Sequence, residues 1–352
     1  MFSLLEMLIA LALTIVLMGA AVPLVAANSA VSATTPEMLD EQQRARLGME
    51  ELSRDLGMAG AGLSVGALAG PLVSSFAPII PRRMGLTGAD AYNAARPDAI
   101  TIIFTSASAA QSVLTQPMTS PSDSLQLDPS VGCPLGTQVC GLQQGSTALL
   151  FDRSGRFDLV GILGLTGGAA TIEYRQPGPP AFSYQPGAAV AEAESHTYYL
   201  DAANLQLRHA DGAHSDVPVV DNVVALTFQY FGDPNPPTSP RPPIGTANCL
   251  YDAAGALLGG MSILPTAGGT LAQLPLAGFT DGPWCGAGSN RFDADLLRVR
   301  MVRVTLRVQV SNVMMRGRSA DFLVPGLNRG ARTIPDYTLR FDIAPANMGS
   351  SR

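Results

Sequence analysis

The stretch FSLLEMLIALALTIVLMGAAVPLVAA, residues 2–27, decides the architecture of this 352-residue chain. No charged side chain occurs between Glu6 and Glu37. An α-helix needs about 20 apolar residues to cross the hydrocarbon core of a bilayer, and residues 7–27 satisfy that requirement. The sequence therefore predicts an N-terminal helix whose first part lies in a membrane or in another apolar environment.

Two common kinds of apolar segment fit this stretch poorly. A secretory signal peptide has a basic region before its apolar run, but residues 1–5 contain no Arg or Lys, although Val25-Ala26-Ala27 resembles a cleavage site. An ordinary transmembrane anchor leaves Glu6 unexplained. A carboxylate near the centre of a membrane segment costs about 2.5–3.5 kcal/mol and usually marks a function.

The segment Phe2-Ser3-Leu4-Leu5-Glu6-Met7-Leu8-Ile9-Ala10 resembles the processing and methylation signature of type IV pilins and type II secretion pseudopilins. The resemblance implies that Phe2 is the N-methylated first residue of the mature chain, with Glu6 as the fifth. Pro23 stands where many pilins carry a helix-breaking proline. The prepilin peptidase of the family cuts after a glycine, whereas Met1 precedes Phe2 here. We favour a leader missing from the sequence over an initiator Met added to the mature chain.

The same resemblance gives Glu6 a role in subunit assembly. A lone charge buried in an apolar filament core is costly, so the carboxylate needs a cationic partner. The first basic side chain in the sequence is Arg44, which makes the amino group of Phe2 on a neighbouring subunit the nearest candidate. The alternative is that Glu6 reaches the membrane surface and contacts water.

The helix is expected to continue beyond its apolar part. After Pro36, apolar residues recur at helical spacing, namely Met38, Ala45, Met49, Leu52 and Leu56. The charged residues of this region are expected mostly on the opposite face, namely Glu41, Arg44, Glu51, Arg54 and Asp55. We expect one bent helix over residues 1–58, from about Phe2 to Met58, in which residues 2–27 form the membrane or filament core. Its second half should pack its apolar stripe on a head formed by residues 59–352.

The head has the pattern of a β-structure. Short runs with β-type composition are separated by turn signals, at residues 98–105, 170–175, 196–201, 205–209, 223–231, 297–310 and 337–343. In the run 297–310 the apolar residues change from odd to even positions, which predicts a β-bulge near Met301–Val302. Hairpin spacing favours antiparallel pairing. The predicted fold class is α+β, with a long helix packed on a largely antiparallel sheet.

Several segments of the head extend the resemblance to PilW-type minor pilins, namely residues 43–62, 97–100, 198–200, 224–232, 298–310 and 337–340. The J-type pseudopilin of type II secretion has the same outline, but its chains are typically shorter and the Pro-rich insert 233–244 fits the PilW type better. The resemblance implies a structural, non-enzymatic subunit that primes pilus assembly at or near the tip. It also implies an inner-membrane location before assembly and a periplasmic or surface-exposed head afterwards. The implied partners are other minor and major pilins, the prepilin peptidase and methylase, and inner-membrane lipid, with a tip adhesin as a further candidate.

Four cysteines permit three disulfide pairings. Export across the inner membrane would place them in the oxidising periplasm. We pair Cys133 with Cys140 across a short loop and Cys249 with Cys285 across a long one. A zinc site is the alternative, but the sequence has no C-x-x-C spacing.

Other candidate sites are weak. All 22 basic residues are arginines and the net charge is −6, which excludes lysine-dependent chemistry and disfavours nucleic acid as a partner. Ser64 stands in a G-x-S-x-G pattern, so a membrane-tethered hydrolase is an alternative function, although the strand and helix that this motif requires are not predicted around it. His209, Asp211, His214 and Asp216 are more simply a solvated hairpin end than a metal site. We therefore expect no catalytic, cofactor-binding or metal residues.

Overall fold

A computed structural model of the chain describes residues 3–64, 66–84, 88–106, 110–119, 124–133, 136–166, 169–174, 183–212, 215–266, 269–286, 288–318, 322–328 and 333–349. The N-terminal helix α1 (Leu4–Met58) is one continuous element of 55 residues. At 1.5 Å per residue it is about 80 Å long. The helix continues through Pro23, so this proline does not end it. A proline removes one backbone hydrogen bond, and the neighbouring turns retain theirs. The bend expected at this position stays a prediction.

The described part of the head consists of short strands joined by turns and 3-10 helices. The strands are β1 (Ile79–Ile80), β2 (Ala99–Phe104), β3 (Gln111–Val113), β4 (Leu125–Gln126), β5 (Thr147–Phe151), β6 (Phe157–Thr166), β7 (Ala169–Tyr174), β8 (Ala189–Glu192), β9 (Glu194–Asp201), β10 (Gln206–Asp211), β11 (Ser215–Asp221), β12 (Val223–Gly232), β13 (Ala272–Leu274), β14 (Trp284–Cys285), β15 (Phe292–Asp293), β16 (Val299–Val308) and β17 (Tyr337–Ile343). The 3-10 helices are Leu72–Ser74, Gln138–Gly141, Leu276–Phe279, Gly288–Asn290, Ala294–Arg298, Val313–Met315 and Ala346–Met348.

These strands form antiparallel sheets. One sheet has the order β1-β2-β9-β10-β11, a second β13-β12-β16-β17 and a third β3-β8-β5-β6-β7-β4, while β14 and β15 form a two-stranded ribbon. Each neighbouring pair is antiparallel. The α+β class, with a long helix on antiparallel sheets, is therefore confirmed.

The predicted β-bulge lies one residue before the expected place. Phe231 of β12 pairs with Met301, whereas the next residue, Gly232, pairs with Val299. Arg300 is therefore the extra residue in β16. Val299 and Val302 are both fully buried on either side of it. The bulge restores the inward direction of the apolar side chains after the change from odd to even positions.

The second half of α1 packs where the first two sheets meet. It contacts β11 of one sheet and both β16 and β17 of the other. Gly48 lies at a close approach of helix and sheets, because a Cβ atom there would lie 2.9 Å from Leu306 Cδ2 and 3.3 Å from Val220 Cγ2. A glycine at this turn lets the helix backbone reach both sheets.

The buried face of this half-helix differs from the expected stripe. Ala45, Leu52 and Leu56 are fully buried as predicted, but Met38 is 44 % exposed. Glu41 and Asp55, expected mostly on the outer face, are only 3 % and 2 % exposed, respectively. Their positions follow the helical repeat of the buried residues, so the expectation based on polarity was wrong for both. Each carboxylate has polar partners in the head.

Two apolar clusters lie on opposite faces of the third sheet. Leu149 and Phe151 of β5 belong to the main core, which also includes the buried residues of α1 and of the first two sheets. Ala148 and Leu150 alternate with them and belong to a smaller cluster that includes Tyr184. This alternation is the period of two expected of a strand with both faces covered.

Candidate functional site in the N-terminal helix

The first part of α1 is an apolar rod exposed to solvent. The segment Leu4–Ala21 has a mean hydropathy of 2.4 and none of it is buried in the structure. By length and composition it is sufficient to cross a membrane. A contiguous exposed apolar surface marks a site of lipid or protein contact, because water contact with such a surface is unfavourable. The segment is therefore a candidate membrane anchor or signal.

Glu6 has a local partner in the isolated chain. Its carboxylate Oε2 accepts a hydrogen bond from the Ser3 backbone N–H at 2.9 Å, and its own backbone N–H donates to Ser3 Oγ at 3.2 Å. This reciprocal pair is a capping box that satisfies two free N–H groups at the helix start. The S-x-x-E spacing that signals a capping box is present in the sequence, but the two roles predicted for Glu6, subunit assembly and contact with the membrane surface, did not include capping. Phe2, the predicted processing and methylation residue, lies outside the described residues.

The head is attached to the helix near Glu41 by polar contacts. Arg44 Nη1 donates to the backbone carbonyls of Asp221 and Gln309 at 3.1 and 3.3 Å. Glu41 Oε1 accepts a hydrogen bond of 2.9 Å from the Tyr337 backbone N–H at the start of β17. Burial raises the pKa of Glu41 to about 7; the Tyr337 N–H only partly opposes this effect, and the negative charge of Asp336 adds to it. The buried environment therefore favours the protonated form of the Glu41 carboxyl group.

A second polar attachment lies about four turns further along the helix, at Asp55. Asp55 Oδ2 accepts hydrogen bonds from Tyr198 Oη at 2.6 Å and from His196 Nδ1 at 2.5 Å, and Oδ1 accepts from Arg54 Nε at 3.1 Å. Burial by itself raises the pKa of Asp55, but the hydrogen bonds from His196 and Tyr198 outweigh it and bring the pKa to about 2. Asp55 is therefore a carboxylate that binds β9 to the helix.

The histidines of the neighbouring strands complete this attachment. The pKa of His196 is raised, because the contact with Asp55 outweighs the effect of burial. His209 on β10 stacks on Tyr198 with ring centroids 4.6 Å apart, and its centroid lies 4.8 Å from that of His196. Burial, together with the nearby His196, lowers the pKa of His209. The interpretation of His209 as part of a solvated hairpin end is therefore wrong, because this side chain lies between β10 and the helix.

Of the other members of the expected hairpin-end group, Asp211 lies on the same face of β10 as His209 and acts on it electrostatically, whereas Asp216 does not join it. His209 pairs with Val217 in the register and Ala210 pairs with Asp216, so His209 and Asp216 are on opposite faces of the sheet. Asp216 instead accepts hydrogen bonds from Arg208 Nε at 2.9 Å and from Tyr199 Oη at 2.7 Å. His214 lies outside the described residues.

Ser64 lies in a short irregular loop after α1. Its backbone N–H and its Oγ both contact Gln111 Oε1, at 2.9 and 3.2 Å. A Cβ atom on Gly62 would lie 1.9 Å from the Gly70 carbonyl oxygen, so the first glycine of the G-x-S-x-G pattern permits a close backbone approach. Within the described residues, no strand leads into Ser64 and no helix starts directly after it. The local structure therefore differs from that of a nucleophile elbow.

Both predicted disulfides are present. Cys133 and Cys140 are linked with a Cα–Cα distance of 4.3 Å, and Cys249 and Cys285 are linked with a distance of 4.9 Å. The first closes a short loop beside the smaller cluster, and the second joins the segment after the Pro-rich insert to β14. Disulfides persist in oxidising compartments, which favours an extracytoplasmic head.

Comparisons of the chain with protein-family profiles, with curated proteins and with solved structures give no match.

Proposed function

We propose that this chain is a structural minor pilin subunit of a type IV pilus, which helps to prime filament assembly and lies at or near the tip. The observation that carries the proposal is the division of one helix into two parts. Leu4–Ala21 is fully exposed and apolar, whereas the part that follows Pro36 is anchored to a β-rich head. A helix of this kind can hold the head outside a membrane and later pack against equivalent helices in a fibre.

The signature at residues 2–10 supports the more specific assignment. Phe2 would be the methylated N-terminus, and Glu6 would exchange its capping contact with Ser3 for the amino group of Phe2 on a neighbouring subunit. The partners would be other minor pilins, major pilins and a tip adhesin. The head would face the periplasm before assembly and the cell surface afterwards.

Two substitutions separate the role of Glu6 in capping from its role in assembly. Glu6→Gln removes the charge but keeps an oxygen that can accept the Ser3 N–H, whereas Ser3→Ala removes half of the capping box and leaves the charge. We expect Glu6→Gln to abolish recovery of the chain in sheared filaments and Ser3→Ala to retain it, at a helix cost of about 1 kcal/mol. Equal membrane levels of the variants are the control. Recovery of Glu6→Gln at the wild-type level would contradict the assembly role.

A minor pseudopilin of a type II secretion system has the same anchored outline, and the two systems are distinguished genetically. Deletion of the gene should reduce surface piliation without reducing secretion of folded exoproteins. The reverse result would assign the chain to secretion. In either system the exported chain should begin with N-methyl-Phe at Phe2, which mass spectrometry of the N-terminal peptide measures. A chain that begins after Ala27 would instead show that the apolar segment is a cleaved signal.

A further inference from the structure

Three metal-ligating side chains meet between the helix and the first sheet. They are Asp55 of α1, His196 of β9 and His209 of β10, which we call the helix–sheet cluster. One carboxylate oxygen and one nitrogen from each imidazole all lie within 4.8 Å of one another. We propose that the helix–sheet cluster binds one divalent zinc ion, which links the helix to two strands of the head. The proposal does not depend on the filament role.

The types of ligand, and the positions of the strands and helix that carry them, suit zinc. Zinc is bound by imidazole nitrogens at about 2.0–2.1 Å and by carboxylate oxygens at about 2.0–2.2 Å, with tetrahedral geometry. His209 pairs with Tyr198 across the two strands, so His196 is its diagonal neighbour on the same face. This places both imidazoles under Asp55, which comes from a separate element. Small side-chain movements would bring the three ligand atoms to zinc distances, and a water molecule would take the fourth position.

The unpartnered nitrogen of His209 is the second observation. His209 Nε2 is buried and has no hydrogen-bond partner among the residues that the structure describes. A buried polar atom without a partner costs about 1–3 kcal/mol, so such atoms are uncommon. A zinc ion bound through Nε2 would satisfy this nitrogen.

The surrounding charges favour a cation. Asp211 and Glu194 both act electrostatically on His196, and Glu194 Oε2 lies 3.3 Å from His196 Nε2. Glu51 acts on His209, while Arg54 is paired with both Glu51 and Asp55. The carboxylates near the cluster therefore outnumber the arginine. Zinc would replace the proton that Asp55 and His196 share, and Tyr198 Oη would continue to donate to the Asp55 carboxylate and orient it.

The test uses the full chain in detergent, without a histidine tag, after removal of metals with a chelator. Titration with Zn²⁺ at about pH 7.5, monitored by calorimetry, should give one ion per chain. Co²⁺ should give the intense visible absorption of a tetrahedral site. Wild-type protein that binds no stoichiometric Zn²⁺ would overturn the proposal.

Two variants locate the ion. His209→Gln removes a nitrogen that has no hydrogen-bond partner, so the head should fold, and Zn²⁺ affinity should fall at least tenfold. Asp216→Asn is the matched control, because Asp216 lies on the opposite face of the same hairpin; its affinity should equal that of the wild type. Zn²⁺ should also raise the unfolding temperature of the wild type and not that of His209→Gln. Equal affinities of His209→Gln and the wild type would overturn the assignment.

Discussion

Glu41→Gln tests whether a carboxyl group on the helix controls the pH dependence of head stability. Glu41 is 3 % exposed, and burial raises its pKa from 4.5 to about 7. The folded state therefore favours the protonated form, whereas the unfolded chain releases this proton near its ordinary pKa. It follows that the contribution of Glu41 to the free energy of unfolding is greatest below about pH 4.5 and falls as the pH rises towards about 7.

The size of this effect follows from the shift. One pKa unit corresponds to about 1.36 kcal/mol, so a rise from 4.5 to about 7 corresponds to a loss of about 3 kcal/mol across this pH range. Gln cannot ionise, and its side-chain oxygen can still accept the hydrogen bond from the Tyr337 N–H. Glu41→Gln should therefore match the wild type at about pH 4 and exceed its unfolding free energy by about 3 kcal/mol at about pH 8.

Urea unfolding of the full chain in detergent measures this difference. Trp284 is the sole tryptophan of the sequence, and its ring lies 5.2 Å from that of Tyr92 in an edge-to-face contact, so its fluorescence reports on the folded head. Asp158 and Asp293 also have pKa values raised by burial, to about 6 in each case, but they are present in both proteins and cancel in the difference. The matched control is Glu50→Gln, at an exposed position of the same helix. A difference between Glu41→Gln and wild type that does not change with pH would refute the reasoning.

Two further predictions concern packing and covalent links. Gly48→Leu should destabilise the head by on the order of 3 kcal/mol, because even a Cβ there would lie 2.9 Å from Leu306 Cδ2. At the exposed Gly57 a Cβ would have no atom of the described residues within 4 Å, so Gly57→Leu should be neutral or stabilising in the same urea assay. A loss at Gly57 as large as that at Gly48 would contradict the packing argument. Replacing both residues of the Cys249–Cys285 disulfide by Ala should lower the unfolding free energy by about 3–4 kcal/mol, since the bridge closes a loop with a sequence separation of 36. The same change at the Cys133–Cys140 disulfide, with a sequence separation of 7, should lower it by about 2–3 kcal/mol. Equal losses for the two pairs would contradict the loop-length argument.

The features predicted correctly from the sequence are those in which apolar residues follow a regular local pattern. The uncharged run after Glu6 predicted the apolar helix, and the alternation in residues 297–310 predicted a strand with a bulge. The bulge was predictable because a period of two cannot change phase without an extra residue, and Arg300 is that residue. The ends of these elements and the pairing of neighbouring hairpin strands likewise depend on residues close together in sequence.

The polar attachments were not predictable from the same patterns. The helical repeat shows which residues share a face of the helix. Glu41 and Asp55 were nevertheless expected on the outer face, because their side chains are charged. Their partners, Tyr337 and Tyr198, are 296 and 143 residues away in sequence. The sequence of the helix by itself contains no information about contacts with residues so far away in the chain. His209 was misassigned for the same reason, because only the fold places β9 and β10 next to Asp55.

The two buried carboxylates explain how an apolar stripe holds the head in one position on the helix. Apart from the close contact at Gly48, a stripe of apolar residues would tolerate a shift by one turn, about 5.4 Å, because similar side chains recur at that spacing. Glu41 and Asp55 are separated by about 21 Å along the helix, and each accepts hydrogen bonds from a different sheet. A shift of one turn would leave both carboxylates buried without partners, at a cost of several kcal/mol. The attachment therefore fixes both the rotation and the height of the head relative to the exposed apolar rod. If this helix packs among other helices in a fibre, the fixed attachment would let the position of the helix determine the position of the head.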